Sequence, residues 1–411
     1  MNFYFLIIAL IVILGLIEFY FIRRMDKTLT TVSEFFWVKN KNNFRTAYLI
    51  LTNMYSAFLI CSWGYAAITD NSPIVPQNIF FDSLIIFPFW WMIVFTVQVT
   101  LFILSFDFIR LVIFPFTRKV KEKIFKIESY SVFVLALFFL LYVPFRFWYD
   151  YRNISLNNVE MPVKNLPAEF DKFRIVFISD TQADRYTNDS RLSDFVIKVN
   201  SLQADLVLVG GDIITSTPDY ISTGAKYLGK IKSWYGVYSC VGDHDNWAYR
   251  NDYQRSRNEV RAALLKNNVR MLDNESLMIP LKDFKLFLSF TTNTYMDKTT
   301  DRTLDSLAKQ STGSDFKIMI THQPLKNVIL NSVKNDFDLI LAGHTHGGQI
   351  TFLFPFFNLS PTIFETKYLR GEFDFGKTKM LVCRGLGMSL APVRYNSTPE
   401  IILLELKKGI E

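Results

Sequence analysis

Cysteine and histidine are scarce in this sequence of 411 residues, which contains 3 cysteines and 4 histidines. The cysteines are Cys61, Cys240 and Cys383, which lie far apart and form no CxxC pair. This spacing excludes a disulfide framework and a cysteine-rich zinc site. The sequence also lacks internal repeats, low-complexity segments and a basic stripe interleaved with aromatic residues. We therefore expect no nucleic-acid partner.

Apolar residues are abundant, at 50% of the chain with 40 phenylalanines, which indicates contact with lipid. Four apolar stretches in the N-terminal third each approach or exceed the roughly 20 residues that span the hydrocarbon layer. They are Phe3–Ile22, Ala47–Ile68, Ile79–Ser105 and Ser131–Trp148. The first stretch has no basic N-terminal region and no small-residue cleavage site, which favours a retained anchor over a signal peptide. We predict a transmembrane region of four helices over residues 1–150. The competing interpretation, buried helices of a soluble domain, requires core segments of unusual length.

The 45 Lys and Arg residues exceed the 38 Asp and Glu residues by seven, and this excess lies largely beside the apolar stretches. Basic residues follow the first and third stretches, whereas the loop after the second contains Asp70 and no Lys or Arg. The basic residues are Arg23, Arg24, Lys27, Lys39, Lys41, Arg45, Arg110, Arg118, Lys119, Lys121, Lys123 and Lys126. Because basic loops stay cytoplasmic, both chain ends are predicted to be extracytoplasmic, although Arg146 and Arg152 favour the opposite orientation weakly.

Residues 151–172 have the composition of a polar linker, and short apolar runs alternate with helix-like stretches after them. The runs are rich in β-branched and aromatic residues and are bounded by Gly, Pro, Asp or Asn, which is typical of buried strands in an α/β sandwich. They are FRIVFIS, ADLVLVG, GVYSCVG, FKLFLSF, FKIMITH, FDLILAG, KMLVCRG and EIILLEL.

Five of these runs end in polar clusters, and all four histidines lie in those clusters. The clusters are Asp180-Thr181-Gln182, Gly211-Asp212, Gly242-Asp243-His244-Asp245, His322-Gln323-Pro324 and Gly343-His344-Thr345-His346. In open α/β sheets ligands bind beyond the carboxyl ends of strands, so we expect the clusters to converge. Imidazole and carboxylate together suit ions such as Mn, Fe or Zn, and four isolated surface histidines would not all follow strands.

The order of the clusters resembles the calcineurin-like metallophosphoesterase superfamily. The strings GHTHGGQI and RGLGMSLAPVRYNSTPEI resemble its membrane-associated bacterial phosphodiesterase branch, and the resemblance extends from Phe173 to Leu406. It implies a four-layer α/β/β/α sandwich over residues 173–411. It also implies a membrane-anchored phosphoesterase that hydrolyses phosphodiester or pyrophosphate bonds, including those of lipid-linked substrates, with two divalent ions. The partners implied are the phosphoester and the lipid bilayer of a bacterial plasma membrane, and no protein partner can be inferred.

The resemblance also assigns site residues. It implies that Asp180, Gln182, Asp212 and His346 hold one metal, and that Asp212 bridges to a second held by Asp243, His322 and His344. His244 is expected over the phosphate, with Asp245 fixing its orientation or serving as a turn residue. Arg394 is a candidate phosphate contact.

Two positions depart from the family pattern, because Gln182 and Asp243 stand where the family has His and Asn. The resulting set is richer in oxygen and favours Mn²⁺ or Mg²⁺ over Fe or Zn, with Mn²⁺ preferred. The departures also leave open an alternative, a metal-binding sensory or regulatory membrane protein with a degenerate site.

Overall fold

A computed structural model describes residues 3–69, 75–113, 120–249, 251–355 and 357–409. The chain forms two compact units. The helical unit comprises Met1–Trp148 and Phe352–Leu359, and the α/β unit comprises Tyr149–Thr351 and Ser360–Glu411.

The helical unit is built from long helices. They are α1 (Phe3–Val32), α2 (Glu34–Thr69), α3 (Ile79–Phe81), α4 (Phe87–Ile113) and α5 (Lys121–Arg152), and a π-helical turn (Asp82–Ile86) joins α3 to α4. Within the described residues, two helices are long and apolar enough to cross a membrane, Ile79–Ile113 and Lys121–Arg152. The first two predicted spans, Phe3–Ile22 and Ala47–Ile68, lie inside α1 and α2, and neither helix is one of the two candidate membrane spans. Asp70, Arg118 and Lys119 lie outside the described residues.

Several charged side chains in the helical unit pair with one another, as expected for charges removed from water. Arg24 lies 2.8 Å from Asp107 and also pairs with Glu128, and Arg110 lies 2.7 Å from Asp107. These contacts join α1, α4 and α5. Arg24 therefore lies within a helix and is buried in an ion-pair network, although the sequence predicted a loop there.

A short hairpin, β10 (Phe352–Phe354) and β11 (Phe357–Leu359), also belongs to the helical unit. The Gln98 side chain of α4 donates to the Leu353 carbonyl at 2.7 Å and accepts from the Leu353 N–H at 2.9 Å. Gln98 is fully buried, and burying its amide without hydrogen bonds would cost free energy. The two bonds to Leu353 remove that cost.

The α/β unit contains two mixed six-stranded sheets. The first has the order β1-β14-β2-β3-β4-β5 and the second the order β12-β13-β9-β8-β7-β6. The strands are β1 (Ser155–Val163), β2 (Phe173–Ile178), β3 (Leu206–Val209), β4 (Val237–Ser239), β5 (Val269–Met271), β6 (Glu275–Leu281), β7 (Phe284–Thr291), β8 (Phe316–Thr321), β9 (Leu339–Ala342), β12 (Gly371–Phe375), β13 (Thr378–Val382) and β14 (Glu400–Lys408). All eight runs predicted as strands contain one, which confirms the α/β sandwich.

Apolar side chains form three layers of core around these sheets. One cluster, including Phe177 and Leu288, lies between the sheets. A second packs the first sheet against α6 (Asp189–Asn200), α7 (Ile221–Leu228) and α8 (Tyr253–Lys266). A third packs the second sheet against α9 (Asp301–Lys309) and α10 (Lys326–Lys334). Strands buried on both faces explain why their sequences are apolar runs and not alternating patterns.

The structure corrects the linker predicted over residues 151–172. Ser155–Val163 form β1, which pairs in parallel with β14 at the edge of the first sheet. Only alternate residues of its second half are buried, including Val159, Met161 and Val163. An edge strand with polar residues at every other position resembles a linker in composition, which accounts for the error.

Candidate metal centre

The five polar clusters meet because of how the strands pair. β2, β3 and β4 are parallel neighbours in one sheet, and β8 and β9 are parallel neighbours in the other. Two groups of side chains offer ligand atoms within 4.8 Å of one another: Asp180 with Asp212 and His322, and Asp243 with His322 and His344. We call them the first and second ligand groups; His322 belongs to both.

The backbone at these residues adopts an unusual conformation. Five of the predicted ligands have a positive φ angle: Asp180 (51°), Gln182 (49°), Asp212 (57°), His344 (72°) and His346 (49°). Such angles are uncommon outside glycine, and residues held in them concentrate at functional sites. The turns that follow the strands thus direct these side chains to one place at a cost in backbone energy.

Two glycines allow these turns to approach each other. A Cβ atom on Gly242 would lie 2.1 Å from the Asp212 nitrogen, and one on Gly343 would lie 2.7 Å from an Asp180 carboxylate oxygen. Both distances are shorter than real Cβ contacts, so the clusters can converge only with glycine at these positions.

The first ligand group is held by contacts from its own motifs. Asp180 is fully buried and accepts bonds from the Ser179 hydroxyl and, at 3.1–3.2 Å, from the His344 N–H. Gln182 donates through Nε2 to Asp212 at 2.8 Å. The other Asp212 oxygen accepts the His244 N–H at 2.7 Å.

The second ligand group centres on His322 and Asp243. His322 Nδ1 donates to the Gly210 carbonyl at 2.7 Å, and Nε2 faces Asp212 at 3.4 Å and Asp243 at 3.2 Å. In the neutral ring Nε2 is therefore the atom with the lone pair. His344 Nδ1 lies 2.9 Å from Asp243. The structure thus brings together six predicted ligands from five different strand ends.

The donor set fits divalent ions. Two atoms of these groups, His322 Nε2 and Gln182 Oε1, are buried without a hydrogen-bond partner among the described residues. Buried polar atoms are rarely left unsatisfied, and each of these is a metal-ligand type. A cation would satisfy both atoms and offset the charge of three buried carboxylates.

The carboxylates and imidazoles perturb each other strongly. Burial, with the Asp180 and Asp243 carboxylates, raises the pKa of Asp212 to about 7. Although burial opposes it, hydrogen bonds to Asp243 and Glu365 raise the pKa of His344 to about 9. Burial by itself would lower the pKa of His322, but the neighbouring carboxylates outweigh it and raise the pKa above its usual value. Perturbed groups of this kind are typical of functional sites.

His346, the seventh predicted ligand, lies at the edge of the first ligand group. Its Nε2 is 3.5 Å from Asp180, and burial with nearby Arg394 lowers its pKa to about 3. Arg394 is itself buried and donates to several backbone carbonyls, including that of Gly387 at 2.9 Å. It therefore holds the surrounding loops together, which corrects its prediction as a phosphate contact.

The two predicted catalytic residues differ in their surroundings. His244 is buried, its Nδ1 pairs with the Thr215 carbonyl, and its Nε2 lies 3.0 Å from the Ser389 hydroxyl. Burial lowers the pKa of His244, which favours the neutral form of the ring. Asp245 does not contact that ring: its carboxylate accepts the backbone N–H groups of Asp212 (3.0 Å), Ile213 (2.8 Å) and Gly242 (2.8 Å). Of the two roles expected for Asp245, these contacts favour that of a turn residue over that of orienting His244.

Four further side chains contact the site and were missed from the sequence. Gln323 donates to Asp243 at 2.8 Å, and Ser389 meets His244. Both lie inside strings that carry the resemblance. Tyr295 and Glu365 lie in loops without a motif: Tyr295 donates its N–H to Asp243 at 2.5 Å, and Glu365 lies 2.8 Å from His344 Nε2. Nothing in the local sequence marks these two.

Comparison with known proteins agrees with this arrangement. Residues 173–348 match the calcineurin-like phosphoesterase family. An uncharacterized metallophosphoesterase of Campylobacter jejuni is 28% identical, over 74% of this chain and 77% of its own length. A phosphodiesterase of Escherichia coli is 25% identical, over 57% of this chain and 82% of its own length.

A bovine (Bos taurus) transmembrane protein with a metallophosphoesterase domain is also similar, at 26% identity over 62% of this chain and 57% of its own length. The family match spans β2 to β9 and includes all of the residues in the two ligand groups. Residues 173–348 of the chain therefore form a domain of the calcineurin-like phosphoesterase family, whose members are hydrolases.

Proposed function

We propose that the protein is a membrane-anchored phosphoesterase that hydrolyses phosphodiester or pyrophosphate bonds of lipid-linked substrates by a two-metal mechanism. The observation that carries the proposal is the pair of buried ligand groups that share His322, with the unpaired His322 Nε2 between two carboxylates.

The ligand assignment follows the two groups. Asp180, Gln182, Asp212 and His346 would hold one ion, and Asp212, Asp243, His322 and His344 the other. His322 also belongs to the first ligand group, so its imidazole would contribute to both sites. Ions bound in such a site neutralise phosphate oxygens and lower the pKa of a water molecule. The oxygen-rich first group, with the Gln182 carbonyl in place of an imidazole, favours Mn²⁺ among Mn, Mg, Fe and Zn.

His244 would handle the proton of the leaving group. Its Nδ1–H donates to the Thr215 carbonyl, which fixes the tautomer and presents Nε2 beside Ser389. Asp245 would act only indirectly, because its contacts hold the Asp212 and Gly242 turns at the distance that both ligand groups need.

Exposed apolar side chains support a lipidic substrate. Leu390 follows Ser389 and is 96% exposed, and Phe364 precedes Glu365 and is 91% exposed. Leu390 is also held at a φ of 63°, an angle that is unfavourable for a branched residue. Large apolar side chains fully presented to solvent beside a polar site suit a substrate with a phosphate group and an acyl or similar apolar chain.

Four observations support anchoring in a bilayer through residues 1–150. They are the two membrane-length helices, the buried pairing of polar side chains among α1, α4 and α5, the apolar stretches inside α1 and α2, and the transmembrane relative. The basic segments flanking the helices favour an extracytoplasmic catalytic domain at a bacterial plasma membrane. A protease added to intact cells should then cleave within residues 173–411; protection of that region would reverse the orientation.

A degenerate metal-binding regulator is the second candidate. It is favoured by Gln182, whose amide donates to Asp212 at 2.8 Å and so occupies a carboxylate oxygen that a metal would use. Metal binding without turnover would select this candidate.

The test is metal-dependent hydrolysis of bis(p-nitrophenyl) phosphate by the full chain in detergent, with Mn²⁺, Mg²⁺, Fe²⁺ or Zn²⁺ added in turn. Asp212→Ala serves as the inactive variant and the exposed Glu372→Gln as its matched surface control. We expect turnover that Asp212→Ala loses by more than about 100-fold, since even partners outside the metal's own ligands contribute about 10–100-fold. A folded wild-type chain without turnover in any metal would refute the proposal.

A further inference from the structure

We propose that Glu365 is a positioning residue that fixes the orientation and tautomer of His344 and so sets the affinity of the second ligand group for its metal. The inference deepens the proposed function and rests on it. Glu365 lies outside the family match, which ends at residue 348, and outside every motif of the sequence.

His344 is held from both sides of its ring. Nδ1 lies 2.9 Å from Asp243, inside the second ligand group, and Nε2 lies 2.8 Å from Glu365 Oε1 on the opposite side. The His344 backbone has a φ of 72°, an angle uncommon outside glycine, but the backbone does not set the rotation of the ring about its side-chain bonds. A side-chain contact is needed to define which edge of the imidazole faces the carboxylates.

The Glu365 contact also selects a tautomer. A neutral imidazole has one N–H and one lone pair. Because the Glu365 carboxylate accepts hydrogen bonds, it favours the proton on Nε2 and leaves the lone pair on Nδ1, the atom that faces Asp243. A carboxylate behind a ligating histidine orients the ring and raises its basicity in many metal sites.

Tyr295 closes these contacts into a ring. Its hydroxyl donates to Glu365, and its backbone N–H donates to Asp243 at 2.5 Å. Asp243, His344, Glu365 and Tyr295 thus form a cycle of polar contacts that joins four separate segments of the chain. The first ligand group has no member in this cycle, so loss of Glu365 should affect one metal and spare the other.

Glu365 can be substituted without disturbing the protein core because its side chain is 41% exposed. Its removal opens no core cavity, so the fold should be retained. We would titrate Mn²⁺ into the metal-free full chain in detergent by calorimetry, for the wild type, Glu365→Ala, Glu365→Gln and the surface control Glu372→Ala.

We expect two Mn²⁺ sites in the wild type and in Glu372→Ala. Glu365→Ala should weaken one site by about 10–100-fold and leave the other unchanged. Glu365→Gln, which keeps an oxygen acceptor for Nε2–H, should restore part of the affinity. Tyr295→Phe, which removes only the hydroxyl donor to Glu365, should weaken the same site by less than Glu365→Ala.

Two results would overturn the inference while leaving the proposed function intact: unchanged affinity at both sites in Glu365→Ala, or equal weakening of both sites. A wild-type chain that binds no Mn²⁺, Mg²⁺, Fe²⁺ or Zn²⁺ would instead remove the proposed function, and this inference with it. Binding of two ions with normal Glu365 dependence but no turnover would leave the inference standing and favour the regulatory candidate.

Discussion

The two ligand groups are stabilised by different parts of the chain. In the first group, Asp180 is held by Ser179 and by the His344 N–H, and Gln182 bonds to Asp212, so the contacts come from the strand-end motifs themselves. In the second group, Gln323 of a strand-end motif also bonds to Asp243, but Asp243 and His344 are held in addition by Tyr295 and Glu365, which come from loops outside the motifs.

The two sets of contacts also differ in exposure. Ser179 and Gln182 are fully buried, whereas Tyr295 is 54% and Glu365 41% exposed. Buried contacts made by the turns cannot change without disturbing the sheets, but exposed loop contacts can vary independently. The comparison indicates that the first group is set by the fold, and that the second group can be adjusted by the loops around it.

The largest effect should come from the residue that the groups share. His322→Asn removes the imidazole that faces both Asp212 and Asp243 and leaves their charges uncompensated. We expect both metal sites to be lost and hydrolysis to fall by more than about 100-fold, since even partners beyond the metal ligands contribute about 10–100-fold. Calorimetry with Mn²⁺ measures the first effect and p-nitrophenol release the second.

His344→Asn is the matched variant, since it belongs to the second group alone. It should keep one Mn²⁺ site. If both variants lost the same number of ions, the division into two groups would be wrong.

A smaller, selective effect is expected from Gln182→His, which restores the residue that the family pattern has at this position. An imidazole is a softer ligand than an amide oxygen, so the variant should shift preference from Mn²⁺ toward Zn²⁺ by about tenfold. Competition between the two ions, followed by metal analysis of the purified chain, provides the measurement. Asp243→Asn, the corresponding change in the second group, should not produce this shift, because it exchanges one oxygen ligand for another.

The smallest effect concerns the apolar side chains beside the loop contacts. Replacing Leu390 and Phe364 by Ser should lower kcat/KM for a lipid phosphodiester in mixed micelles by about tenfold, which corresponds to losing the burial of about one apolar side chain. The rate for bis(p-nitrophenyl) phosphate should stay within twofold. Ile197→Ser combined with Leu265→Ser, two exposed positions on α6 and α8, is the control. Equal losses on both substrates would contradict a lipid-binding role.

The comparison also explains which predictions succeeded. Eight buried strands were found because fully buried strands are continuous apolar runs, and the polar residues after them identified the site. The linker prediction failed at β1, where an edge strand alternates apolar and polar residues. Two roles remained open for Asp245, because its position beside His244 does not reveal that the carboxylate points toward backbone N–H groups of its own turn and of the Asp212 turn.

The sequence by itself determined the α/β sandwich, the apolar helices before it and the residues that converge at the strand ends, because periodicity, composition and strand-end position are local properties of the chain. Only the tertiary structure decided that the two ligand groups share His322, that Arg394 supports loops, and that Tyr295 and Glu365 complete the second group. Those outcomes depend on contacts between separate loops, for which no local pattern exists; Tyr295 and Asp243 are 52 residues apart, and His322 and Gly210 are 112 residues apart.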